Sequence, residues 1–154
     1  MSGIRQFVEI REDGRLKPES MSVDEFIAQG VSPKRVVQAR WEFDGRTVLI
    51  ANRFGMHAQV LPERDGVVAL YDHGNNPPTC ELRVVNGDGS LRMVINNRVH
   101  INGSDCPGIF SWFSPTLLSA PGAFGAIFSA DSGSMWHLDI DANDGRVLAA
   151  RQSK

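Results

Sequence analysis

The chain has 154 residues, the size of one ordinary domain, and needs neither disulfides nor a structural metal to bury a core. Apolar residues make up 42% and charged residues 22%, which excludes wholesale disorder. A formal net charge of −2 removes the broad basic footprint of a nucleic-acid binder, and no run of about 18 apolar residues exists to span a membrane as a helix.

At the N-terminus, Arg5 and Glu9 interrupt the apolar stretch that a secretory leader would need, so the cytoplasm is the expected location. A first strand is expected over 4–11. Ser22-Val23-Asp24-Glu25 then has the form of a capping box, followed by Phe26, Ile27, Gly30 and Pro33. These residues predict one short helix near 23–29. From there to the C-terminus the pattern is strand and turn. Strands are expected at 35–43, 46–53, 57–63, 67–72, 80–86, 90–97, 99–102, 109–113, 124–130, 134–142 and 146–151.

Two signals support the strands. Val37, Ala39, Trp41 and Phe43 alternate with Gln38, Arg40 and Glu42, and Trp136, Leu138 and Ile140 alternate with His137, Asp139 and Asp141. Period two is the mark of an antiparallel strand with one buried face. The turns between runs hold Asp-Gly or Asn-Gly, as at Asp44-Gly45, Asp88-Gly89, Asn102-Gly103 and Asp144-Gly145. Such pairs accept the positive φ of tight hairpins. The segments from Asp44 and Asp88 resemble each other, with a looser copy from Asp131. A period in the forties with about four strands per unit is what propeller blades show, although any row of such hairpins looks self-similar.

The expected fold is therefore one mainly β domain over 1–154: an antiparallel β-sandwich, an open barrel or a partial propeller-like sheet. Two segments stand apart. His73 to Pro78 is a breaker cluster between halves of the sheet system. Pro107 to Ala130 contains no charged residue and is either buried strand with a covering loop or an exposed apolar patch for a partner.

Most chemistries fail on inspection. His137-x-Asp139 has the spacing of two facial-triad ligands, but no histidine follows His137. A metal site from His57, His100 and His137 would require them to converge across strands. Asp139 to Gly145 fails the EF-hand pattern, since Asp144 stands where glycine belongs and Ala150 where the bidentate glutamate belongs. Cys80 and Cys106 form no CxxC and are read as two reduced thiols, with Cys106 placed in a Ser-Asp-Cys-Pro-Gly loop. No phosphate-binding glycine motif or nucleophile elbow is present. No catalytic residue and no cofactor is expected.

A small β-domain without a catalytic cluster is most simply a binding module. His137, Asp139 and Asp141, with Asp144 at the turn, form an acidic stripe that would steer a basic partner. Trp112 and Phe113 are the candidate apolar anchors. Trp136 to Leu148 resembles the closing hairpin of PepSY-type domains, a pattern that carries no activity. The size and the Asp-Gly hairpins at Asp44-Gly45 and Asp88-Gly89, without catalytic motifs, resemble bacterial immunity proteins of contact-dependent or polymorphic toxin systems. That resemblance implies a non-catalytic protein in a tight one-to-one complex with a toxin domain, expected to be basic, whose active or substrate-binding surface it covers. The alternative is a small-molecule-binding β-barrel or a metal-dependent enzyme, with a pocket lined by His57, His100 and Cys106.

Overall fold

The computed structural model describes residues 3–22, 24–25, 28 and 35–153. These residues build three antiparallel sheets. The first holds β1 (Arg5–Arg11), β2 (Leu16–Pro18), β3 (Val36–Phe43) and β4 (Arg46–Ala51), in the order β2-β1-β3-β4. The second is a simple meander of β5 (Met56–Val60), β6 (Gly66–Asp72), β7 (Cys80–Asn86) and β8 (Leu91–Ile95). The third runs through β9 (Arg98–Ile101), β10 (Ser104–Ser114), β11 (Ala123–Ala130), β12 (Met135–Asp141) and β13 (Val147–Ser153). Among the described residues no helix is long and apolar enough to cross a membrane.

The helix expected near 23–29 lies largely outside the described residues. Its described part agrees with the capping box: Glu25 N–H donates to Ser22 Oγ at 3.1 Å, and Ala28 N–H donates to Asp24 O at 2.9 Å. The three-residue β2 was not expected, because Leu16-Lys17-Pro18 is too short to show alternation.

The sheets are stacked in three layers, and two cores share the middle one. Val68, Leu70, Leu82 and Val84 of the second sheet pack with Phe110, Phe124, Phe128 and Leu138 of the third. The opposite phase, Val67, Ala69, Tyr71 and Val85, packs with Phe7, Ala39 and Trp41 of the first. The unbroken apolar run Val67 to Tyr71 follows from this, since a strand covered on both faces has no polar phase. Trp41 is fully buried and its Nε1–H donates to Gly87 O at 2.7 Å, so the largest side chain in the core has its polar atom satisfied.

The faint repeat has a structural counterpart. The turns at Asp44, Asp88 and Asp131 join β3 to β4, β7 to β8 and β11 to β12, one equivalent hairpin in each layer. At the first, Asp44 and Gly45 both have positive φ, 49° and 75°, the conformation their side chains tolerate best. The layers are not copies throughout. In the first, β1 pairs with both β2 and β3, and the third gains β13.

One strand is longer than expected. Residues 104–108, read as a loop from Pro107-Gly108, begin β10, so Cys106 lies on a strand. β10 changes partner at this proline: residues 104–107 pair with β9 and residues from Gly108 onward pair with β11. A missing N–H is tolerated at such a junction.

Candidate functional site

The site begins with a bulge. In β10, Phe110 pairs with Phe128, but Trp112 pairs with Ile127, so Ser111 is an extra residue. A one-residue insertion inverts the side-chain phase beyond it. Phe113 therefore takes the inward phase and meets the Phe124 ring edge-on at 6.4 Å. Trp112 turns out of the core and is 53% exposed. Its ring lies 4.8 Å from that of His57 on β5.

Trp112 and Phe113 stand at one wall of a cleft of about 900 Å³. The first sheet supplies the opposite wall, including Phe7, Glu9, Lys17 and Val36, and β5 lies between them. Glu9 and Lys17 are register partners across β1 and β2, and Lys17 Nζ lies 4.0 Å from Glu9 Oε1. Burial raises the Glu9 carboxyl above its ordinary range, while Lys17, the Ala58 N–H and Arg11 pull it down. Desolvation lowers His57; Asp72 opposes that shift and Arg11 adds to it. The cleft thus joins apolar and aromatic surface to closely held charge, the mixture found at protein-binding hot spots.

Of the residues singled out in the sequence, Trp112 and Phe113 line this cleft, whereas the first-sheet wall was not anticipated. A signal was present, since Phe7, Glu9 and Arg11 share one phase of a single strand.

The acidic stripe is corrected by the structure. Asp139 is fully buried, and it does not face solvent. Its Oδ1 accepts Leu117 N–H at 2.7 Å and its Oδ2 accepts Leu118 N–H at 2.8 Å. The 115–122 segment therefore folds over β12 and is pinned by this carboxylate. Gly125 allows the close crossing, because a Cβ there would collide with Ser114 O and Pro115 O. Asp139 is thus a positioning residue for the wall that carries Ser114 to Thr116.

Of the other members, Asp144 is exposed, while Asp141 and His137 are half-buried. Asp141 Oδ1 accepts Asn143 N–H at 2.7 Å and Asp144 Oδ1 accepts Arg146 N–H at 2.9 Å, so both shape the β12–β13 turn. The uncharged 107–130 stretch divides: Phe110, Phe124 and Phe128 are core, whereas Trp112 and Leu118 are exposed.

The alternative pocket is not assembled. Only His57 of His57, His100 and Cys106 borders the cleft. His100 stands opposite Asp105 in the β9–β10 ladder, and Cys106 stands opposite Val99. Among the described residues no three His, Cys, Asp or Glu side chains come together as a metal site, so His57, His100 and His137 do not converge. Both cysteines are free. Cys80 is buried, its Sγ–H donates to Phe110 O at 3.1 Å, and burial pushes its thiol up to about 11, which leaves it unreactive.

No family model matches the sequence, and no curated protein matches it. Among solved structures, the chain is similar to one from a structure of Tne2 in complex with Tni2. The identity is 36%, the match covers 98% of this chain and 99% of that one, and the TM-score is 0.89. Likeness of that extent fixes more than the layered fold: this chain belongs to the family of the protein it matches in the Tne2–Tni2 complex.

Proposed function

We propose that this protein is an immunity protein, acting without catalysis in the cytoplasm, that binds one cognate toxin domain and covers its active or substrate-binding surface. The observation that carries this reading is the near full-length likeness to a chain solved in a complex of two proteins. The cleft agrees with it, since Trp112 is a large aromatic side chain left 53% exposed across from the Glu9–Lys17 pair. The anchors are Trp112 and Phe113. Asp141 and Asp144, at the β12–β13 turn, remain the acidic groups that would steer a basic toxin surface. His137 flanks them, and Asp139 acts from beneath by holding the covering segment.

The test is co-expression with the product of the adjacent upstream gene. A stoichiometric complex that survives a salt wash, with rescue of growth in cells making that product, is the expected result. A product that is toxic yet neither bound nor neutralised would reject the assignment for that pair.

A further inference from the structure

The middle layer ends where its neighbours continue, and the cleft is the gap. β5 is the terminal strand of the second sheet. Its ladder to β6 runs through the odd-numbered residues, as the flanking bonds Asp72 N–H to Gly55 O at 3.0 Å and Leu61 N–H to Gly66 O at 2.9 Å require. Ala58 and Val60 therefore turn their N–H and C=O groups away from β6. The Ala58 N–H is met there by Glu9 Oε2 at 3.4 Å, a long contact from a side chain that also faces Lys17. Pro62 closes the edge, with no N–H to offer. Among the described residues no other bond meets these outward groups, and walls from the first and third sheets stand on either side of them.

We propose that this edge is the docking site and that its occupant is an extended segment of the partner protein, added to β5 as a fifth strand of the middle sheet. The inference rests on the proposed function. An incoming strand lies about 4.8 Å beyond β5, bonds Ala58 and Val60 through its main chain, and alternates its side chains between the two walls. One phase meets Trp112 and Phe113. The other meets the first-sheet wall, where Glu9 gives up the Ala58 N–H and stays with Lys17. The charged groups on the lining are already held in pairs: Lys17 faces Glu9, Arg35 is bonded to Glu12 at 3.1 Å, and Glu19 to Arg64 at 2.9 Å. The segment that fits is thus apolar on the phase that meets Trp112 and Phe113 and polar on the other. Main-chain bonds supply affinity here and the alternate side chains supply selectivity.

The test is residue-resolved amide exchange on the labelled protein, alone and in the complex with the co-expressed toxin, with the reciprocal measurement on the toxin. The Val60 amide should exchange freely in the protein alone and become protected in the complex. His57 and Gln59 amides, bonded to β6, should be protected in both. The protected toxin segment should be extended. Val60→Pro removes one outward N–H without breaking a ladder bond and should weaken binding about tenfold relative to Val60→Ala, which also gives up packing against the first-sheet core but keeps the N–H. A complex that forms with the Val60 amide still exchanging would overturn the docking site and leave the immunity reading intact. So would a protected toxin segment that is helical. Protection that grows with protein concentration in the absence of toxin would make the occupant a second copy of this chain. Failure to form any complex would remove the immunity reading and this inference together. The exchange measurement on the unmodified protein decides the matter even where Val60→Pro does not fold.

Discussion

Trp112 and Asp139 show how far a side chain's task depends on a residue elsewhere. Trp112 is on the cleft because Ser111 inverts the phase of β10. Its truncation to alanine should leave stability within about 1 kcal/mol of wild type, as for an exposed side chain, while partner affinity falls by about 2 kcal/mol or more. Chemical denaturation beside a binding titration separates the two; loss of fold in place of affinity would make Trp112 a core residue. Asp139→Ala should do the reverse. It strips acceptors from Leu117 and Leu118 N–H in a buried place and should destabilise by about 3 kcal/mol in a urea titration. His57 has a pH signature. Its proton affinity is lower in the folded state than its ordinary 6.5, so the unfolded state takes up the proton first as pH falls. Stability should therefore decline on acidification below that value, and His57→Gln should remove this part of the slope in pH-dependent melting curves.

At the scale of the element, the β12–β13 hairpin and the 115–122 segment divide the work once given to one acidic stripe. Asp141 and Asp144 sit at the turn, Asp144 in water and Asp141 half-buried. Reversing both to lysine should slow association with a basic toxin several-fold at low salt, with little change in dissociation, as seen by stopped-flow or surface binding. Unchanged association would discard them as steering groups. Strands and hairpins themselves were legible because they are local: alternation marks the strand, and Asp-Gly or Asn-Gly marks the turn. Register was legible only where no bulge intervened. Nothing near Ser111 announces an extra residue. The same limit hid Asp139, because alternation assigns it to the phase opposite Leu138 and Ile140 without saying what covers that phase.

For the whole molecule, the three layers should unfold together. The two cores meet through opposite faces of one sheet, so neither survives loss of the other's support. Trp41 lies in one core and Trp136 packs against the other. In each variant that retains one of these tryptophans, the denaturation midpoint by fluorescence should coincide with that of the far-ultraviolet circular dichroism from all three sheets. Separate midpoints would mean that the layers are independent units.

What the amino-acid sequence determined by itself was the local grammar: a β-rich chain, most strands, the hairpins and a faint likeness among three of them. It also singled out an aromatic pair worth suspecting. Only the tertiary structure decided which faces are buried, that the middle sheet has two, and that its edge at β5 opens into a walled cleft. Those outcomes depend on contacts between residues far apart in the chain. Period two tells that a strand has two faces, but the neighbour that arrives on each face decides whether that face is core, wall or water.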